Sequence, residues 1–191
     1  MTHHENLKIL AFVGLTGSGK TTAVEHFTSL GYPKVYFGGV IYDAMAEAGV
    51  EKGEDNEKTF RLEIREKEGN DFIVKRIIKQ IHDLADAGQH RIIADGIYSW
   101  DEYKAIKHEF PGETTVVAIT APKHLRYRWL EHREDRPQTP VISAARDHNE
   151  IETLQKGGPI AMADFFVANN EDVEHFYKQL DAIAEHVDFK S

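Results

Sequence analysis

Gly14-Leu15-Thr16-Gly17-Ser18-Gly19-Lys20-Thr21 is a run of small and hydroxyl-bearing residues closed by a lysine and a threonine. Residues of these types at the spacing G-x-x-x-x-G-K-[ST] make an anion cradle. The glycines let successive backbone N–H groups converge, and a helix opening at the lysine adds partial positive charge. The pattern predicts Lys20 at the β- and γ-phosphates of a nucleotide and the Thr21 hydroxyl on Mg²⁺. It places Gly14, Thr16, Gly17, Ser18, Gly19 and Thr22 around the phosphates. A second element is Asp95, which ends the apolar run Arg91-Ile92-Ile93-Ala94 and precedes Gly96. A carboxylate there can orient the water shell of Mg²⁺, although Asp-Gly after a strand is also an ordinary turn. Cations gather later: between Lys123 and Arg146, six basic residues (Lys123, Arg126, Arg128, Arg133, Arg136, Arg146) face three acidic ones. Phosphoryl transfer needs mobile cations that neutralise the moving group and close over it. The loop from Pro137 to Pro140 is where such a lid would hinge. A solvated basic helix face is the alternative, and for Arg126 it has equal claim.

Alternating strands and helices must position these groups. Lys8–Val13, Lys34–Phe37, Arg91–Ala94, Thr114–Thr120 and Phe165–Ala168 read as strands. Helical patterns span Thr21–Leu30, Ile41–Ala48, Glu57–Glu68, Asp71–Ala87, Trp100–Phe110, Pro122–Arg133, Val141–Leu154 and Glu171–Val187. In Asp71–Ala87 the stripe Ile73, Ile77, Ile81 and Leu84 has helical spacing, Asn70 or Asp71 can cap the start, and Gly88 can end it. Strand–helix alternation with apolar strands predicts an α/β fold, a parallel sheet with helices on both faces. Gly49–Asn56 and Arg133–Pro140 are the polar stretches between these patterns.

The chain has 191 residues and a net charge of −9, which suits one domain, 1–191, with enough bulk for a core. The acidic balance excludes a general nucleic-acid backbone binder. The +3 segment leaves −12 elsewhere, so a local site for a short polyanion remains possible. Cysteine is absent, which removes disulfides, thiolate nucleophiles and Cys-based zinc sites. The polar N-terminus and short apolar runs predict no signal peptide and no membrane span, hence a cytoplasmic protein. The 11 histidines are scattered without ligand spacing. Asp101 and Glu102 suit a helix N-terminus, and Tyr127 and Trp129 suit packing better than ligand contact.

GTPases read guanine through N-K-x-D, which does not occur, and the chain is short for an AAA-type or RecA-type motor. The order GLTGSGKTTA, RIIADGI, HLRYRWLEHR with ARDHNE, then MADFFVANNED resembles the adenylate-kinase and dephospho-CoA-kinase branch of P-loop small-molecule kinases. The resemblance runs over almost the whole chain and is nearest to dephospho-CoA-kinase-like members. It implies a three-layer P-loop NTPase fold whose five-stranded parallel sheet has the order 2-3-1-4-5, with a small helical lid. It also implies ATP and Mg²⁺ as cofactors and a small-molecule phosphoryl acceptor as partner. By position, Arg133 and Arg136 would be lid arginines, Arg146 would face the transferred group, and Asn169 would lie beside adenine. The acceptor-binding segment would span about 39–87 and carry Arg61 and Arg65; those arginines could equally form helix-surface ion pairs with Glu57 and Glu68. The lid would span about 133–146. Two departures matter. Where the branch carries acceptor-clamping Asp and Arg residues, this chain has Gly39, Tyr42 and Tyr98. Tyrosine can stack or hydrogen-bond but cannot neutralise a phosphate. Asp43 is the nearest carboxylate to the missing aspartate. The missing arginines motivate an alternative, an ATP-binding regulatory protein without small-molecule kinase activity; simple ATP hydrolysis is a third reading.

Overall fold

The strand that carries the glycine-rich run shows how the sheet is buried. In the computed structural model, β1 (Lys8–Val13) is buried from Ile9 onward, with successive side chains passing to opposite faces. Ile9, Ala11 and Val13 join one apolar cluster, and Leu10 and Phe12 join the other. The structure describes residues 6–190 except 52, 70 and 135; the side chains of residues 54, 55, 57, 58, 61, 62 and 65 are also outside the description. The sheet adds β2 (Lys34–Tyr36), β3 (Arg91–Asp95), β4 (Thr114–Thr120) and β5 (Phe165–Ala168) in the order 2-3-1-4-5, all pairs parallel. That order is the one the resemblance implied.

α1 (Lys20–Thr28) and α9 (Val173–His186) cover one face. The other is covered by α2 (Gly39–Glu47), α3 (Glu54–Glu68), α4 (Phe72–Asp86) and α5 (Trp100–Glu109). α6 (Lys123–Glu131), α7 (Pro140–Glu152) and the short α8 (Gly157–Ala161) lie between β4 and β5 in the chain. Connections leave β1 toward β2 and β4 toward β5, on opposite sides, so a crevice opens beyond the strand ends where they diverge. Open α/β sheets bind ligands at such a switch point.

Three local expectations change. In α4 the fully buried residues are Phe72, Val74, Ile77, Ile81 and Ala85, with Ile73 and Leu84 packed at the margin. Asp71 stands at the N-cap position but makes no side-chain cap bond; its carboxylate pairs with Lys75 Nζ at 2.8 Å, while Asn70 lies outside the described residues. Gly88 ends it as expected, with φ +85. α8 escaped the sequence reading because Gly157, Gly158 and Pro159 are weak helix formers. Its packing explains it: a Cβ on Gly158 would press 2.7 Å from Trp100 Cε3. Among the described residues, no helix is long and apolar enough to cross a membrane.

α5 starts with a capping box. Ser99 Oγ accepts from the Glu102 N–H at 3.2 Å, and the Glu102 carboxylate accepts from the N–H groups of Ser99 and Tyr98 at 3.1 and 2.7 Å. Glu102 therefore has the structural role its position suggested, and it also fixes the backbone that presents Tyr98.

Candidate functional site

The phosphate loop leaves β1 at Gly14 with φ +151, where a Cβ would collide with the Ile119 carbonyl of β4. Gly19 has φ +105 and abuts the Asn169 side-chain amide, which donates to the Ser18 carbonyl at 3.0 Å. Only glycine combines these conformations with so little space. The Lys20 ammonium folds back to donate to the Gly14 and Leu15 carbonyls at 2.8 and 3.1 Å. Burial, with the Lys156 ammonium nearby, pushes Lys20 down to about 7. The loop thus holds a cation in a place that disfavours charge until an anion arrives. Among the described residues the buried Ser18 hydroxyl oxygen has no hydrogen-bond partner, so the cradle itself contains a polar group that an anion can satisfy.

Beside the loop is a cavity of about 500 Å³ lined by Gly19, Thr21, Thr22, Trp129, Arg133 and Asn169 among others. Thr21 is exposed in the first turn of α1. Register places Asp95 opposite Phe12, one residue before the end of β1. Burial raises the Asp95 carboxyl above its ordinary range, against the pull of Lys34 and Lys20. Lysine, hydroxyl and carboxylate here form a hard-oxygen and cationic donor set that fits a Mg²⁺-bound polyphosphate.

Two expectations are overturned. Thr16 is not free to meet a phosphate through its side chain or N–H. Its hydroxyl donates to Glu150 Oε1 at 2.5 Å, its N–H donates to Glu150 Oε2 at 3.1 Å, and its carbonyl accepts from Arg126 at 2.9 Å. Arg126 is neither a lid cation nor solvated. It is 5% exposed and forms a two-point contact with the Asp147 carboxylate at 2.9 and 2.7 Å. Asp147 also accepts from the Tyr127 hydroxyl at 3.0 Å, so Tyr127 is structural, whereas Trp129 reaches the cavity.

The sequence reading missed Glu150 and Lys156. Lys156 Nζ lies 2.9 Å from Glu150 Oε2, and both side chains are almost fully buried. Burial alone would raise the Glu150 carboxyl, but Lys156, Thr16 and Lys20 hold it below its usual range. Burial pushes the Lys156 ammonium down despite Glu150. Asp147 and Glu150 lie three residues apart on α7, so one helix face can reach the loop; the ARDHNE run was the available signal, but there only Arg146 was singled out.

The remaining candidates divide. Arg133 lines the cavity, while Arg136, with φ +53, is exposed outside its lining. Arg146 is 48% exposed and sits 3.5 Å from Glu150 Oε1. Tyr98 is half-buried under Lys156 Nζ, 4.9 Å from the ring centre. Burial, then Tyr36 and Asp95, raise its hydroxyl pKa, so it stays a neutral donor. Tyr42 is half-buried on α2, and Asp43 is exposed there. The side chains of Arg61 and Arg65 lie outside the described residues.

A family profile described as an AAA domain matches residues 10–160. The chain belongs to this family. The match runs from within β1 to within α8, so the AAA domain includes both halves of the Thr16–Glu150 contact. A UPF0200 protein of Thermococcus onnurineus is 29% identical over 182 residues, covering 94% of this chain and 97% of that one. Among solved structures, a shikimate kinase from Bacteroides thetaiotaomicron superposes with TM-score 0.58 at 13% identity, covering 95% of this chain and 98% of the other. A dephospho-CoA kinase from Campylobacter jejuni gives TM-score 0.54 at 15% identity, with 95% and 98% covered. The AAA domain of this chain therefore has a P-loop kinase fold, the group its motifs resemble.

Proposed function

We propose that the protein transfers the γ-phosphoryl group of Mg²⁺-bound ATP to a small molecule of the nucleotide or coenzyme-precursor class. The observation that carries this reading is the glycine cradle with its buried, unpartnered Ser18 hydroxyl and folded-back Lys20, opening on a cavity that Arg133 also lines. In this reading the loop N–H groups and Lys20 hold the β- and γ-phosphates, and Thr21 and water bound to Asp95 hold the metal. Bound Mg²⁺ would neutralise charge on the bridging phosphates. Arg133 and Arg136 belong to the arm 133–146 that closes over the cavity, and Arg146 meets the transferred group. Asn169 borders the adenine end. The acceptor enters from the 39–87 side, near Tyr42, Tyr98, Arg61 and Arg65. Among these only the arginines supply full charge, so a phosphate on the acceptor would be met by Arg61 and Arg65 rather than by the two tyrosines.

The test is ADP release with a panel of nucleotides, coenzyme precursors and sugars. Acceptor-dependent ADP is expected. Tight ATP binding with no acceptor stimulation would instead support a regulatory nucleotide binder, a reading favoured by Tyr98 standing where a clamp arginine is expected. Turnover without any acceptor would indicate hydrolysis.

The lysine also sets a pH dependence. A bound polyphosphate stabilises the charged ammonium, so above the free-state value of about 7 binding must take up a proton. ATP affinity is expected to fall by up to about tenfold per pH unit between pH 7 and 9, until the bound-state pKa is passed. Calorimetric titration over that range checks this; a flat profile would show that Lys20 is fully charged before ligand arrives.

A further inference from the structure

The Glu150 carboxylate is shared by two parts of the proposed machinery that are far apart in sequence. Its Oε1 accepts from the Thr16 hydroxyl at 2.5 Å and faces Arg146 Nε at 3.5 Å. Its Oε2 accepts from the Thr16 N–H at 3.1 Å and from Lys156 Nζ at 2.9 Å. Both oxygens are therefore used twice. The same helix holds the Thr16 carbonyl through Asp147 and Arg126. All three polar atoms of one phosphate-loop residue are thus tied, directly or through one guanidinium, to the helix that carries Arg146.

We infer that Glu150 is a positioning residue that sets the phosphate loop and the Arg146 guanidinium in register with each other. This rests on the proposed ATP site and adds a specific coupling within it. Charge-assisted hydrogen bonds are directional, and Glu150 has little freedom between the two Thr16 donors, Lys156 and the Arg146 charge. Any displacement of Thr16 moves the carboxylate, and the carboxylate determines where Arg146 rests. Lys156 keeps the carboxylate charged in the interior, so it can attract an arginine that still reaches solvent. A water at that position could bond the loop, but it could not carry charge to steer Arg146.

Removing the register should therefore affect the third phosphate more than the first two. The experiment compares affinities for ADP and for a non-hydrolysable ATP analogue, both with Mg²⁺, in the full chain. Thr16→Val keeps the side-chain shape and removes the hydroxyl; Thr16→Ser keeps the hydroxyl. Thr16→Val is expected to bind ADP within about threefold of wild type and to lose about fivefold or more of the preference for the analogue. Thr16→Ser should restore most of that preference. Combining Thr16→Val with Arg146→Ala should give a change that departs from the product of the single effects by at least about threefold, as for members of one network. Multiplicative effects, an unchanged preference in Thr16→Val, or equal losses for ADP and analogue would each overturn the coupling. Glu150→Gln gives a second probe, with thermal melting to confirm folding; an analogue preference equal to wild type in that variant would also overturn it. A wild-type protein that binds no nucleotide would remove the proposed function and this inference with it, an outcome distinct from the other four.

Discussion

Lys20→Ala is expected to reduce phosphoryl transfer by about a thousandfold or more while leaving a folded protein. The magnitude follows from the charge the lysine brings to the moving phosphoryl group in a water-poor site, where single well-placed donors and cations have effects of that order. Folding should survive for a reason visible in the free site. Among the described residues the Lys20 ammonium donates to the Gly14 and Leu15 carbonyls of its own loop, and burial already brings it down to about 7. The fold thus gains little from its charge. Losing two such hydrogen bonds beside a cavity changes stability by about 1 kcal/mol, because water can replace the donor. ADP release and a thermal melt on the same preparation separate the two quantities. Full turnover in the variant would eliminate the mechanism. A collapsed melting curve would instead mean that the folded-back lysine carries the loop.

Glu150→Ala is expected to do the opposite, with its largest effect on stability. It leaves Lys156, 2% exposed, without its carboxylate, and removes both acceptors of Thr16. Breaking a buried ion pair from one side costs about 3–5 kcal/mol, because the surviving charge stays desolvated. For a chain of this size that corresponds to a fall in Tm on the order of 10 °C. Removing the surviving charge should recover much of the loss, so Glu150→Ala combined with Lys156→Met should melt above the single variant. Thermal and urea unfolding of the two proteins check this. A loss below about 1 kcal/mol in Glu150→Ala would show that Lys156 sheds its proton or finds water at little cost.

Legibility in the sequence followed the spacing of contacts along the chain. The phosphate loop was readable because its motif is contiguous: Gly14 to Thr21 carry the cradle, the lysine and the threonine that follows it in eight residues. The five strands were readable because each is a short apolar run, and Asp95 fell at a strand end as expected. Arg126 was not readable. Its partner Asp147 is 21 residues away and the Thr16 carbonyl 110, so the sequence left Arg126 equally open as a lid cation and as a solvated helix residue. Lys156 was hidden for a related reason, since a lysine beside Gly157 and Gly158 reads as a surface turn until Glu150 is seen opposite it. Burial of charge depends on who is across the gap, and no local pattern encodes that.

The separation of 134 positions between Thr16 and Glu150 has a consequence for biosynthesis. The strand bearing the phosphate loop lies between β3 and β4, and its loop is fastened by a helix that begins only at Pro140. A nascent chain therefore displays the complete motif long before it has a formed site. Before α7 leaves the ribosome, β1 can already pair with β3 and β4, but Thr16 still lacks Glu150. The Thr16–Glu150 fastening is thereby deferred to the last quarter of translation, and a prematurely ended chain carries the motif without that fastening.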